Sequence, residues 1–363
     1  MMALVLAALC GCGGSAQKVL YAVGPSSPNV TIFTVSSSGQ LTLTSDSVGT
    51  GSAPVAIALD PLLRFAYVVD SAGGIGPGSV SQYTLNAGSG ALAVATPSTT
   101  AFTGVNPTTI AVDSTGTFVF VANKGSNSIS VFTIDQTGGT LTEVKQLPAP
   151  TCTTSQTAPC PLPTAAAPSR LATTGKMLFV AMASAGAGSV STYTFDSTGT
   201  LSSPPTSTTA AGVNPSAMAM DSSGKFLFVA DSITNQVAVF SIGSSGQLSA
   251  VGAPVAAGTR PVSVCVHPGG KFLYTANQGS NDVSGFSIDS SGALTKLSDT
   301  PVAPGTSPSY VTTDTSGSFL FVANKDSNNI SVFSIDSSGA LKAVSGSPFA
   351  SVVINPVALA SIN

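Results

Sequence analysis

One repeated unit, about 50 residues long, limits what this chain can fold into. Each unit begins at a proline and holds four short apolar runs separated by turns rich in Gly, Asp and Ser. Four short strands at this period predict one blade of a β-propeller. The complete units begin at Pro54, Pro107, Pro168, Pro215, Pro261 and Pro308.

The unit from Pro308 illustrates the blade. We predict strand a over residues 309–313, strand b over 319–323, strand c over 330–335 and strand d over 340–344. The a–b and c–d connections are Asp-x-x-Gly turns, in which the carboxylate accepts from backbone amides and glycine adopts a left-handed conformation. Because the strands are antiparallel, these tight turns share one end of the ring, and the b–c and d–a loops share the other.

The chain begins in the middle of a unit. Residues 19–23, 30–35 and 41–44 match strands b, c and d, and the missing strand a is found at residues 356–361. We therefore predict an all-β, seven-bladed propeller with four antiparallel strands per blade, in one domain over residues 18–363. The C-terminal strand, whose unit starts near Pro356, is expected to pair in the N-terminal blade and close the ring.

Strand a carries a small residue four positions after each proline, as expected for strands that converge on a crowded axis. These residues are Ala58, Ala111, Ala172, Ala219, Cys265, Thr312 and Ala360. Arg170 and Tyr310 break the trend near the loop end of the channel. In one interpretation, Arg170 binds an anionic ligand and Tyr310 stacks on it or donates its hydroxyl. In the other, Arg170 pairs with a neighbouring carboxylate and Tyr310 fills the channel.

The b–c and d–a loops vary most in length, over residues 71–78, 147–167 and 183–188. Variable loops on a rigid scaffold are where recognition usually takes place. We therefore expect a carbohydrate, lactone or protein ligand to bind this face of a monomeric ring.

Residues 1–17 form a short apolar run followed by Gly-rich sequence, which predicts a leader for export. Gly11-Cys12 resembles the lipobox of bacterial lipoproteins. This resemblance implies lipidation at Cys12 and a location in the cell envelope, periplasmic or outer-surface. Signal cleavage without lipid, followed by secretion, is the alternative.

Two of the remaining cysteines agree with export. Cys152 and Cys160 flank a short loop and are predicted to form a disulfide, which is typical of an oxidising compartment. Cys265 lies in a strand-like run and is expected to pack as a small core side chain.

The composition excludes several classes of function. The 12 Lys and Arg residues are scattered and the net charge is −3, so we expect no nucleic-acid binding. No apolar run after the leader approaches the roughly 20 residues of a membrane helix, so the lipid would be the sole membrane attachment. The sequence lacks a phosphate-binding loop, zinc-ligand spacing and an EF-hand loop, and we expect no cofactor and no metal.

Two recurring phrases carry a family resemblance. Phe-Val-Ala-Asn occurs at residues 120–123 and 321–324, and Asn-x-Ile-Ser-Val-Phe at 127–132 and 328–333. They resemble the YVTN-type repeats of the lactonase-family seven-bladed propellers over nearly all of the chain after the leader. The resemblance implies a sugar-lactone hydrolase of the 6-phosphogluconolactonase type, a carboxymuconate cyclase or a surface protein of unproven activity.

The catalytic inventory is small. The enzymes of that family resemble one another in using His, Glu and Arg near one mouth of the channel, whereas this chain has one His and one Glu. We expect His267 to be an exposed residue of an a–b turn and Glu143 a solvated charge in an outer strand. Arg260 lies at the opposite end of its strand from His267, about 20 Å away, so the two cannot share a substrate.

The sequence therefore favours a binding module that presents loops on one face of the ring. The alternative is a lactone hydrolase in which Arg170, Arg260 and Tyr310 contact the substrate, with no catalytic residue identified.

Overall fold

The computed structural model describes residues 17–74, 76–97, 100–146, 160–184 and 186–362. Seven antiparallel sheets form these ranges. Each strand a contacts the strand a of the next sheet, and the last contacts the first, so the sheets are the blades of a closed ring. The predicted all-β, seven-bladed propeller is confirmed.

We number the blades 1 to 7 from the N-terminus. Strands a, in blade order, span Ala358–Ile362, Pro54–Leu59, Pro107–Val112, Ala167–Thr174, Pro215–Met220, Pro261–Val266 and Pro308–Thr313. Strands b span Val19–Gly24, Phe65–Asp70, Phe118–Asn123, Met177–Ala183, Phe226–Asp231, Phe272–Asn277 and Phe319–Asn324. Strands c span Ser27–Val35, Pro77–Leu85, Ser128–Ile134, Ser189–Thr194, Gln236–Ile242, Asp282–Ile288 and Asn329–Ile335.

The outer strand d is interrupted, which the sequence analysis did not predict. Its first segments are Leu41–Leu43, Leu92–Val94, Leu141–Glu143, Leu248–Ala250, Leu294–Lys296 and Leu341–Ala343, with an isolated bridge at Leu201 in blade 4. Its second segments are Val48–Gly49, Ala101–Val105, Leu162–Pro163, Ser207–Ala210, Val255–Ala256 and Phe349–Ala350, with an isolated bridge at Val302 in blade 6. Both segments pair with strand c of their blade, so the edge of strand c is only partly covered. The one helical segment in the described ranges is a short 3-10 turn, Ala72–Gly74, and no helix there is long and apolar enough to cross a membrane.

The ring closes as predicted. The C-terminal strand Ala358–Ile362 pairs antiparallel with Val19–Gly24, with Val19 opposite Ile362 and Val23 opposite Ala358. Lys18 adds an ion pair between blades 1 and 7, with its Nζ 2.7 Å from Asp314 Oδ2 in the a–b turn of blade 7.

Strands b are buried along most of their length because blades pack against both of their faces. This explains why they read as continuous apolar runs such as Phe-Leu-Phe-Val-Ala. At every seam, a glycine of a c–d turn lies against the first residue of strand b of the preceding blade. The pairs are Gly39 with Phe319, Gly90 with Val19, Gly139 with Phe65, Gly199 with Phe118, Gly246 with Met177, Gly292 with Phe226, and Gly339 with Phe272.

Candidate functional site at the channel mouth

Strands a of all seven blades line a narrow central cavity of about 170 Å³. Arg170 from blade 4 and Tyr310 from blade 7 both line it, as their positions two residues after the unit proline predicted. Most other lining side chains are small or β-branched, so these two define the chemistry of the channel.

Arg170 reaches across the channel. Its Nη1 donates to the carbonyl of Ser169 at 2.8 Å, and its Nη2 donates to the carbonyl of Val262 in blade 6 at 3.4 Å. The ion pairs within the described residues are Lys18–Asp314 and Arg64–Asp60, so Arg170 has no carboxylate partner there. Burial lowers the pKa of the guanidinium, but an arginine stays charged at neutral pH. The interpretation in which Arg170 pairs with a carboxylate is therefore wrong.

Tyr310 packs against the apolar clusters at the seams on either side of blade 1. Burial raises the pKa of its phenol, while the charge of Arg170 lowers it, so the two groups are near enough to interact. The phenol is neutral at pH 7 and can donate a hydrogen bond but cannot act as a base. Its ring also occupies part of the channel, in agreement with the interpretation in which Tyr310 fills it, whereas contact with a ligand stays a prediction.

A wider cavity of about 340 Å³ lies at the mouth, where the b–c and d–a loops meet the channel. Arg170 and Lys325 both line it, together with Asn106, Gln278 and Ser309. None of its described lining residues is acidic. Two cations around a space without a carboxylate favour an anionic ligand.

Lys325 was missed in the sequence analysis. It follows Asn324, the last residue of strand b in blade 7, and Gln278 follows Asn277 in the same way in blade 6. Strand b ends at the mouth, so the residue after each Asn of the Phe-Val-Ala-Asn phrase faces this end. The position of Lys325 directly after this Asn could therefore have predicted that it lies at the mouth.

Arg260 lies outside the channel. It is exposed, has a φ of 56°, and lines a shallow depression with Lys325 and Asp326. The structure thus brings Arg170 and Tyr310 together and places Arg260 in the neighbouring depression. Lys325 and Gln278 line both spaces and connect them.

His267 occupies the a–b turn of blade 6, at the end of the ring opposite the mouth, as expected. Its ring is half-buried rather than exposed. Nδ1 accepts from the N–H of Gly269 at 2.9 Å, so Nε2 carries the proton and donates to the carbonyl of Gly317 at 3.0 Å. The imidazole therefore replaces the Asp of other a–b turns and bridges two blades.

Glu143 is also away from the mouth, but it is not the solvated charge that we expected. It is half-buried in strand d of blade 3, and its carboxylate accepts from the N–H of Cys160. Burial raises its pKa. Its role here is to hold the backbone that follows residues 147–159.

The predicted cysteine roles have different outcomes. Cys265 packs against the core cluster between blades 6 and 7, and burial raises its pKa, so its expected core role is confirmed. Cys160 is disulfide-bonded. Cys152, its predicted partner, and Cys12, the predicted lipidation site, lie outside the described residues, and both assignments stay predictions.

A further set of buried polar residues was missed. Strand b ends in Asp70, Asn123, Asp231, Asn277 or Asn324 in five blades, and each side chain lies against a glycine at the end of strand d or in the d–a loop. These glycines stand three residues before the unit prolines as Gly51, Gly104, Gly212, Gly258 and Gly305. The recurring Gly-x-x-Pro phrase was the signal for this packing.

We compared the chain with known protein families and with curated proteins. The chain matches the family described as "Lactonase, 7-bladed beta-propeller" over residues 14–354. No curated protein matches it significantly.

Solved structures share the fold over almost their whole length. A protein from Lactobacillus plantarum is 19% identical, with a TM-score of 0.77, and the match covers 96% of this chain and 99% of that one. A candidate 6-phosphogluconolactonase from Bacteroides fragilis is 22% identical, with a TM-score of 0.75 and the same coverage. The periplasmic gluconolactonase PpgL of Pseudomonas aeruginosa is 20% identical, with a TM-score of 0.73 and again 96% and 99% coverage.

At these identities the likeness to solved structures is one of fold, and the family follows from the match over residues 14–354. The repeats, the seven blades and the closure by the C-terminal strand agree with it. The chain belongs to the lactonase family of seven-bladed β-propellers.

Proposed function

We propose that this protein hydrolyses a sugar lactone that carries an anionic group, and that it does so at the channel mouth. The observation that carries the proposal is Arg170, a charged guanidinium inside the channel with N–H groups to spare and no carboxylate partner in the described structure. Lys325 adds a second cation at the same opening. Family membership and the gluconolactonase names of two structural neighbours support the reaction class.

The proposed catalysis is electrophilic: cationic side chains stabilise the negative charge that develops on the carbonyl oxygen. Water adds to the lactone carbonyl carbon, and the carbonyl oxygen becomes an oxyanion that Arg170 or Lys325 stabilises. The ring C–O bond then breaks, its oxygen takes up a proton, and the product is a hydroxy acid. Tyr310 can donate a hydrogen bond to the substrate from the channel wall.

The described residues that line the channel and its mouth include no carboxylate and no imidazole. Solvent water or hydroxide is therefore the proposed nucleophile, without general-base catalysis. Stabilisation of the oxyanion alone is worth on the order of 10²–10³ in rate in other acyl-transfer enzymes.

A lactonase assay tests this proposal. Purified protein is assayed with 6-phosphogluconolactone and with glucono-1,5-lactone, with the spontaneous rate subtracted. We expect turnover of the phosphorylated lactone, with kcat/KM reduced about 100-fold in Arg170→Ala and reduced to a smaller extent in Lys325→Ala. Lys225→Ala is the matched control, because Lys225 is exposed in an a–b turn at the opposite end of the ring. Turnover that is unchanged in Arg170→Ala would place the reaction elsewhere.

A binding role without catalysis is the second candidate, and the lack of a base among the described lining residues favours it. In that case the same mouth would hold an anionic carbohydrate or an acidic loop of a protein partner, with Arg260 at its edge. Titration calorimetry with 6-phosphogluconate separates the two candidates. Binding that depends on Arg170, together with no turnover of either lactone, would favour the binding role.

We also propose that the protein is exported and lipid-anchored at Cys12. The apolar leader and the disulfide at Cys160 support export. We expect mass spectrometry of protein isolated from membranes to give a mature N-terminus at Cys12 carrying a diacylglyceryl group, and Cys12→Ser to release the protein. An unmodified mature N-terminus would overturn the anchor and leave simple secretion.

A further inference from the structure

The outer part of blade 2 holds a second cavity, separate from the channel. The strand d segments Leu92–Val94 and Ala101–Val105 pair with the two ends of strand c, Pro77–Leu85. Between them a cavity of about 360 Å³ opens beside the middle of strand c. Residues of blade 1 close its other side, through Gly49, Thr50 and Gly51.

The described lining is mainly polar and carries no charged side chain. It includes the hydroxyl groups of Thr50, Ser79, Ser81 and Thr100, and the phenol of Tyr83. The hydroxyls of Ser79 and Thr100 make no hydrogen bond within the described ranges, so they are available to a ligand. Neither residue is fully buried.

An exposed apolar strip adjoins these hydroxyls. Val94 lines the cavity and is 52% exposed. Phe102 is 56% exposed and pairs directly with the lining residue Ser79, so the two side chains lie on the same face of the sheet. An aromatic ring beside free hydroxyls matches the two sides of a pyranose, whose C–H face is apolar and whose rim carries hydroxyl groups.

This cavity differs from the channel mouth in its charge. The buried carboxylate of Asp70 lies directly behind its wall, where it accepts from Ser81 Oγ at 2.6 Å. No cation is among the described lining residues. An anionic ligand would therefore be repelled here, whereas the mouth with Arg170 and Lys325 attracts it.

From these observations we infer that the cavity between blades 1 and 2 is a site for a neutral saccharide, with the sugar ring stacked on Phe102 and its hydroxyl groups bonded to Ser79 and Thr100. The site is distinct from the channel mouth and does not depend on lactone hydrolysis. It gives the protein a second point of contact with carbohydrate.

Saturation-transfer NMR tests the inference on the full-length mature protein. The probes are D-glucose, D-galactose, N-acetyl-D-glucosamine, maltotriose and chitotriose at millimolar concentration. We expect saturation transfer to at least one of them, reduced at least about tenfold in Phe102→Ala and weakened in Ser79→Ala. Both substitutions lie at exposed or half-exposed positions, and their thermal unfolding should match that of the wild type.

Two control variants locate the binding. Leu62→Ala removes an exposed apolar side chain from an a–b turn at the other end of the ring, and Arg170→Ala alters the channel. Both should retain the signal. Transfer that is lost in Arg170→Ala but kept in Phe102→Ala would show that the sugar binds at the channel mouth, and no transfer to any probe would overturn the inference outright.

Discussion

At the residue scale, the side chain at the end of strand b differs between blades in its hydrogen bonds, and these differences affect the stability of the protein. In blades 3, 6 and 7 it is Asn123, Asn277 or Asn324, whose Nδ2 donates at 2.9 Å to a serine of strand c. In blade 2 it is Asp70, which accepts from Ser81 through Oδ2, while its buried Oδ1 has no hydrogen-bond partner in the described structure. Burial raises its pKa to about 6.

Asp70→Asn should therefore stabilise the protein at neutral pH. The pKa of Asp in the unfolded state is about 3.9. Above pH 6, ionised Asp70 therefore lowers the free energy of unfolding by about 3 kcal/mol. This penalty disappears as the pH falls through 6 to about 4, because the folded state then binds the proton first. Denaturant unfolding should show the variant more stable at pH 8, with the two proteins converging near pH 4.

Asp231 provides the control of opposite sign. Burial disfavours its charge, but four backbone N–H groups donate to it and bring its pKa below the ordinary value. Asp231→Asn should destabilise the protein at pH 7, and the difference should shrink as the pH falls below 4. Equal effects of the two substitutions at pH 7 would show that the hydrogen-bond environments do not control these carboxylates.

At the scale of elements, the c–d turn packs against the preceding blade and so connects neighbouring blades. Gly292 has a φ of +87°, and a Cβ there would lie 2.5 Å from the ring of Phe226 in the preceding blade. The turn must therefore be free of a side chain both for its backbone conformation and for the contact. Gly292 is thus required both for the conformation of its turn and for the packing between the two blades.

Gly292→Ala should lower the free energy of unfolding by roughly 1–3 kcal/mol more than Gly270→Ala does. Gly270 is also a turn glycine, with a φ of +68°, but a Cβ there meets nothing within 4 Å. The control therefore carries the backbone strain alone, about 1–2 kcal/mol. Urea unfolding of the two variants gives the comparison, and equal losses would mean that the Phe226 contact relaxes without penalty.

The elements also show which structural features a sequence can specify. Strands a, b and c of blade 7 are predicted within one residue of their observed ends, because Phe319–Asn324 and Asn329–Ile335 combine continuous apolar runs with Asp-x-x-Gly turns. The break in strand d was missed because its segments are two to five residues long and too short for any periodicity. Local pattern specifies the inner strands, whereas packing specifies the outer edge.

The candidate site divides in the same way. Arg170 and Tyr310 were identified because they break a pattern of small residues that recurs in every strand a. Lys325 was missed because a single lysine in a loop is, on its own, typical of solvated surface. Arg260 was assigned to the correct end of the ring, but sequence position gives the height along a strand and not the distance from the axis. Only the assembled ring separates Arg260 from the channel.

At the scale of the whole molecule, the last strand closes the ring. Ala358, Leu359 and Ile362 are all buried, and Leu359 packs in the cluster that joins blades 7 and 1. Without this strand, Val19–Gly24 would be left as an unpaired edge between two sheets. Such an edge pairs readily with other chains.

A chain that ends at Asn355 should therefore be less stable and should form dimers or larger oligomers. Leu359→Ala keeps the strand and should only lower stability, by about 2–5 kcal/mol, with the same oligomeric state as the wild type. Size-exclusion chromatography with light scattering, combined with thermal unfolding, distinguishes the two variants. A truncated chain with the oligomeric state and the stability of the full chain would contradict the role assigned to the closure.

The junction at Lys18 has one further consequence, for orientation. Strand b of blade 1 begins at Val19 beside the a–b turn of blade 7, where Lys18 meets Asp314, and this is the end of the ring opposite the channel opening. The described chain therefore enters blade 1 at this end, through Gln17 and Lys18. With the lipid anchor proposed at Cys12, the mouth that holds Arg170 would be at the end of the ring farther from the point where the anchored segment enters blade 1.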